Sequence, residues 1–204
     1  MQTINSDGIK YEITMDPRKW RSKPNEEEKK SITRNLTIQT GITINHFSQI
    51  VSSPNSLSWS GGLFHGTRSN KTWEKQTVFA LDFDKGTLTI GQIYAKLKEI
   101  GIVPQLWYTS FSDSPTLRKY RVVIFLDAPV TDIGIHKLIY ESLLSIFPDA
   151  DKVCKDASRY FFGGKKSTVV HTDPVSSSGF IDSLSIQMYS RDSKSFRKVP
   201  LESS

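Results

Sequence analysis

Two aspartates one residue apart, Asp82 and Asp84, close the apolar run VFALDFD at residues 78–84. On a β-strand successive side chains alternate faces, so both carboxylates share a face with Val78 and Ala80 while Phe79, Leu81 and Phe83 take the other. Two acids side by side repel one another unless a positive charge lies between them, and a divalent cation is the usual partner. A pair of this kind holds two Mg²⁺ or Mn²⁺ ions roughly 3.5 to 4 Å apart in in-line phosphoryl and nucleotidyl transfer. A third acid normally completes the set. The segment 147–165, FPDADKVCKDASRYFFGGK, offers Asp149, Asp151 and Asp156, of which Asp156, in Asp-x-Ser, also suits a structural turn cap.

Such chemistry needs cations as well, because metals offset the charge of a triphosphate only in part. Arg121 opens an apolar strand, on one face with Val123 and Phe125. Arg118 and Lys119 precede it in a turn, and Arg159, Lys165 and Lys166 follow the acidic segment. The Gly- and Ser-rich stretch SWSGGLFHGTRSN, residues 58–70, reads as a loop that brings His65 and Arg68.

The elements that must position these groups are clearest from residue 77 onward. A strand at 77–84 leads to a helix in which Ile90, Ile93, Tyr94, Leu97 and Ile100 fall at helical spacing, ended by Gly101. PQLWYTSFS is a second strand, DSPTLRK a turn and YRVVIFL a third strand. Thr131 and Asp132 offer N-caps for a helix carrying Ile135, Leu138, Ile139, Leu143 and Ile146, stopped before Pro148. SRYFFGG, residues 158–164, is the last strand candidate. The order β-α-β-β-α-β is the split βαβ unit of ferredoxin-like folds and polymerase palms. The fold class expected is therefore α+β, with both helices on one sheet face and Asp82 and Asp84 on an open one. Residues 1–30 read as irregular, 32–44 as strand or helix, and 45–53 as a short helix. The expected organisation is an N-terminal α/β extension over 1–70, a palm over 71–185 and a tail or linker over 186–204.

Composition narrows the function classes. With 204 residues and 24% charged residues the chain has the make-up of an ordinary globular domain, and no apolar run of membrane-spanning length is present. The first 30 residues are polar and charged, so the sequence predicts neither a signal peptide nor a membrane partner, and a cytoplasmic location. The single cysteine, Cys154, excludes an internal disulfide and a multi-thiolate zinc site. A net charge of +6 favours polyanionic partners.

These residues resemble the catalytic domain of the archaeo-eukaryotic primase superfamily, the primase-polymerases of plasmid and phage replication proteins, over about residues 60–166. The first motif of that family, an apolar strand ending in Asp-x-Asp, is matched by Ala80-Leu81-Asp82-Phe83-Asp84. Its third, an Asp followed eight residues later by an Arg that opens an aromatic-rich stretch, is matched by Asp151, Arg159, Tyr160, Phe161 and Phe162. The second motif, commonly Ser-x-His, departs: YTSFSDSPTLRKYRVVIF carries serines, Ser110 among them, and no histidine. Some plasmid and phage branches resemble this chain in having a Tyr-Arg-Val strand there, which implies that Arg121 substitutes. The resemblance implies a DNA-directed nucleotidyltransferase in which Asp82, Asp84 and Asp151 (Asp156 as fallback) hold Mg²⁺ or Mn²⁺. Arg121, Arg159, Lys165, Ser110, Arg68 and His65 would position an NTP or dNTP over a single-stranded DNA template. It also implies a helicase partner, or a helicase region in a longer protein of which this chain is the catalytic part.

Two rival readings remain open at this level. A ferredoxin-like sheet with basic and aromatic residues could bind nucleic acid without catalysis, stacking bases on Trp107, Tyr108 or Tyr160. A phosphatase of the haloacid dehalogenase type also starts from a strand running into Asp-x-Asp, although Lys85 here precedes the Gly-Thr pair. That fold requires parallel strands joined by crossovers, whereas the hairpin at 106–126 points to antiparallel pairing.

Overall fold

The computed structural model describes residues 8–54 and 56–196, with side chains up to residue 189. Its centre is an antiparallel five-stranded sheet in the order β4-β5-β7-β6-β8, from β4 (Gly62–Phe64), β5 (Trp73–Phe83), β6 (Leu106–Ser110), β7 (Tyr120–Val130) and β8 (Gly164–Val169). In β5, Val78, Phe79, Ala80 and Leu81 are all buried, so both faces of the sheet are covered. Its neighbour β7 pairs in register, Val78 with Phe125, Ala80 with Val123 and Asp82 with Arg121. The parallel, crossover-linked sheet that the phosphatase reading needs is not formed.

The fold is α+β, and β5-α3-β6-β7-α4-β8 reproduces the expected sequence of elements, with α3 at Ile90–Glu99 and α4 at Ile133–Ile146. Thr89 and Gln92 form a capping box at the start of α3, and Asp132 caps α4 through the amides of Gly134 and Ile135. Gly101 ends α3 at φ 76°, a conformation that a Cβ would strain. Both helices lie on the face of Phe79 and Phe83: Phe79 stacks near Tyr140, Phe83 meets Phe147 edge-on, and the Lys96 ammonium lies 5.8 Å from the Phe147 ring.

Three features differ from the sequence expectation. The fourth palm strand is not SRYFFGG; residues 158–163 are irregular, and β8 begins at Gly164 and pairs with β6 rather than beside β5. The edge of β5 that a ferredoxin-like fourth strand would occupy is taken by β4, from the stretch read as a loop. Second, the N-terminus is regular. Strands β1 (Tyr11–Trp20), β2 (Thr37–Ile42) and β3 (Ser56–Ser60) form a second sheet, with α1 (Glu26–Asn35) and α2 (Ile44–Ile50) between them. The charged stretch 20–30 hid α1, whose Asn25–Glu28 capping box and three leading glutamates suit a helix N-terminus. β1 was obscured by Asp16, which is fully buried yet held by the Arg18 guanidinium, Nε at 3.0 Å.

Third, the face expected to be open is covered. Phe47 of α2 packs against Phe125 and Trp59, Tyr11 of β1 packs against Phe125, and Trp59 Nε1 donates to the Tyr108 hydroxyl at 2.9 Å. Physical chemistry demands this cover, since Val78, Ala80, Val123, Phe125 and Leu106 would otherwise present a broad apolar surface to water. A fifth helix, α5 (Ser177–Phe196), buries Phe180 and Leu184 on the helical side and runs into the stretch expected to be a tail; residues 197–204 lie outside the described residues. Among the described residues no helix is long and apolar enough to cross a membrane.

His136 of α4 sits beneath Trp73, Phe79 and Tyr140, almost wholly buried, with its Nε2 unpartnered. Burial pulls its pKa down to about 4. The unfolded chain restores a value of about 6.5, so between these values the unfolded state binds the extra proton and stability falls as pH falls, by up to roughly 3 kcal/mol. In urea unfolding at a series of pH values, His136→Leu should flatten the stability profile between pH 6.5 and 4. An unchanged slope in that variant would remove His136 as its origin.

Candidate functional site

Where β5 leaves the sheet, its carboxylates open onto a cleft of about 260 Å³ lined by Asp82, Asp84, Arg121, Arg159, Tyr160 and Phe162, with Lys23 and Lys29 from the N-terminal module. Asp82 lies in β5 and Asp84 one residue past its end; both line this cleft, but in different environments. Asp82 is only 1% exposed, whereas the Asp84 side chain is 46% exposed, with the Lys119 ammonium 3.9 Å away.

Asp82 is the floor. Its Oδ2 accepts from Arg121 Nε at 3.1 Å, with the Arg121 Nη2 also at 3.1 Å. The other oxygen, Oδ1, is buried and has no hydrogen-bond partner among the described residues. Arg121, a cross-strand neighbour, is almost wholly buried: its Nη1 donates to the Phe162 carbonyl at 2.6 Å, and the guanidinium carbon lies 5.6 Å from the Tyr108 ring and 5.9 Å from the Phe161 ring. Burial works against the Arg121 charge, yet Asp82 and Tyr108 hold its pKa above the ordinary value. Burial pushes the Asp82 carboxyl up, the Arg121 charge pulls it back and the Asp84 charge pushes it further.

The wall comes from the irregular segment 158–163. Gly163 and Gly164 let it approach its neighbours: a Cβ on Gly163 would lie 2.5 Å from Ser56 Cβ, and one on Gly164 1.8 Å from the Thr109 carbonyl. Trp59 exchanges backbone hydrogen bonds with Phe161, and the Tyr108 hydroxyl donates to the Phe162 carbonyl at 3.0 Å. Tyr160 and Phe162 meet edge to face at 5.5 Å, presenting aromatic surface to the cleft.

The other residues singled out from the sequence are distributed unevenly. The Asp151 amide donates to the Asp82 carbonyl, so the third acid is a backbone neighbour of the first. Its carboxylate is engaged elsewhere, Oδ1 by the Val153 amide and Oδ2 by Arg159 Nη2 at 3.2 Å. Asp156 accepts from the amide and hydroxyl of Ser158, a turn cap. Ser110 lines a smaller recess beside Asp84 and Lys119. Lys165 points to the Asp113 carbonyl, and exposed His65 pairs with Glu74 at 3.4 Å, so neither lines the cleft. Arg68 lies over the Tyr160 ring at 4.9 Å and does not itself line the cleft. Lys23 and Lys29 were missed because they stand in a charged run that reads as solvated; the Asn25 capping box was the signal that this run is ordered. Lys29 is paired with Glu26 and lies 6.0 Å from the Phe162 ring.

Among the described residues, no three acid, histidine or cysteine side chains are grouped to hold a metal. Two features nevertheless suit a divalent cation: the unpartnered Asp82 Oδ1, and an oxygen-only donor pair with Asp84 at the same cleft.

A comparison with solved structures finds the primase-polymerase domain of cyanophage S-2L. It is 13% identical, covers 88% of this chain and 90% of that one, and superposes with a TM-score of 0.48. No protein-family model and no curated protein matches the sequence.

The two acids differ in what they do for the fold. Asp82→Ala leaves Arg121 buried without its counter-ion and should cost about 3–5 kcal/mol, whereas Asp84→Ala should stay within about 0.5 kcal/mol. Urea unfolding reads both. Equal losses in the two variants would contradict the division into floor and rim.

Proposed function

We propose that this chain is a metal-dependent nucleotidyltransferase of the primase-polymerase kind, joining an incoming NTP or dNTP to a 3′-hydroxyl on a single-stranded DNA template. The observation that carries the reading is a single cleft in which Asp82, with a free buried oxygen, and Asp84 stand among four cations and three aromatic rings. Asp82 and Asp84 are the residues that would hold Mg²⁺ or Mn²⁺. When bound, the ions lower the pKa of the attacking hydroxyl and stabilise charge on the leaving pyrophosphate.

The chain's own residues supply the rest. Arg121 is saturated by Asp82 and the Phe162 carbonyl, so it positions the floor carboxylate and neutralises it instead of gripping phosphate. Arg159, 30% exposed and with an unpartnered Nε, and the lysines Lys23 and Lys29 draw the triphosphate in and spread its charge. Tyr160 and Phe162 offer flat surface to a base. Asp151 holds Arg159 in place and is a positioning residue in this scheme. A helicase, or a helicase region in a longer protein, would supply the opened strand.

A second reading has its own support. Asp82 and Asp151 are each paired with an arginine, as in a site that binds nucleic acid without catalysis. Labelled-nucleotide incorporation on single-stranded DNA with Mg²⁺ or Mn²⁺ separates the two. Template- and metal-dependent product should fall by about a hundredfold or more in Asp84→Ala, whose fold should be unaffected, and in Asp82→Asn, which keeps a partner for Arg121. Template binding with no product under either metal would favour the non-catalytic reading.

A further inference from the structure

A second and larger cleft, about 480 Å³, lies between the end of α1, β2 and the loop after β4. Among the described residues its charged lining is Arg34 and Arg68, with no acidic residue. Arg34, in the last turn of α1, is exposed and makes no ion pair among the described residues. Arg68 is more constrained. Its Nη1 donates to the Ser158 carbonyl and its Nη2 to the Thr33 hydroxyl, while its Nε is buried with no acceptor. A buried charged donor without an acceptor is costly, so the Arg68 charge is only partly compensated by its present partners. The remaining lining is mixed: Leu36, Phe64 and Ile38, the last 47% exposed, form an apolar cluster beside Thr14, Thr33, Gly66 and Thr67. A pocket of this size with two cations, threonine hydroxyls and a cluster of three apolar side chains suits a small phosphorylated molecule with a flat apolar body.

We propose that this cleft is a second nucleotide subsite, with Arg34 and Arg68 taking the phosphate and Phe64, Leu36 and Ile38 packing against the base. Its placement supports this: Arg68 lines the second cleft and stacks on Tyr160, which lines the first, so the two clefts share a wall. The occupant is either a free mononucleotide or one unit of a single strand that continues past Tyr160. The inference rests on the proposed function only in choosing a nucleotide as the carrier of the phosphate.

The test reads binding without divalent metal, using the full chain, thymidine 5′-monophosphate, an oligothymidylate and unphosphorylated thymidine. Arg34→Ala should weaken the monophosphate and the oligonucleotide by about tenfold, Arg34→Lys should restore most of it, and Thr67→Trp should block the cleft while leaving both arginines. The salt dependence of oligonucleotide binding should fall by about 0.7 log unit per log unit in Arg34→Ala. Loss confined to the oligonucleotide identifies a strand unit as the occupant; loss of both identifies a site that accepts free nucleotide. Affinities unchanged in Arg34→Ala and Thr67→Trp, no binding of either phosphorylated probe, or thymidine binding as tightly as its monophosphate would each overturn the proposal. Arg34-dependent binding without nucleotide incorporation would refute the catalytic reading alone, and incorporation with Arg34-independent binding this one alone.

Discussion

The buried pair between Asp82 and Arg121 is the constraint around which the molecule is arranged. Two charges removed from water are tolerated only where each is matched in charge and in hydrogen bonds. Arg121 meets that condition through Asp82 and the Phe162 carbonyl, with the Tyr108 and Phe161 rings close by. Asp82 meets it only half-way, since one oxygen is left over. The fold therefore holds a carboxylate in a defined place while leaving it chemically unfinished, which is a costly state unless something else completes it.

Everything nearby follows from that arrangement. The segment that supplies the Phe162 carbonyl is irregular, so its position must be fixed from outside. Tyr108 and Trp59 fix it, through a relay running from Trp59 Nε1 to the Tyr108 hydroxyl and on to the same carbonyl. Trp59 belongs to the N-terminal sheet, and Lys23 and Lys29 of the same module reach the cleft. The N-terminal residues are thus builders of the site as well as a cover for its sheet.

What could be read from the sequence was what local chemistry determines. The helices α3 and α4 were legible because their caps and apolar spacing agree, and Asp82 and Asp84 because strand alternation puts them on one face; Arg121 stood out as the charge opening an apolar strand, but its register opposite Asp82 did not. β1 was not, because Asp16 and Arg18 neutralise each other inside a strand whose pattern they interrupt. β8 was placed six residues early because aromatic density in Tyr160, Phe161 and Phe162 imitates a strand, whereas those rings serve the cleft and the second sheet. The role of Lys23 and Lys29 depended on where a distant module docks, a fact no local pattern carries.

The docking of that module has a consequence for how the chain can be dissected. The sheet face bearing Val78, Val123 and Phe125 is apolar and dry only because Tyr11, Phe47 and Trp59 lie on it. A fragment beginning near residue 71 would carry both acids and Arg121, yet it would expose a sticky strip, strip the Tyr108 hydroxyl of its donor and lose β4 from the edge of β5. The five-stranded sheet is therefore not a portable cassette: the two sheets stand or fall as one cooperative unit, and any transplant of the cleft must carry both.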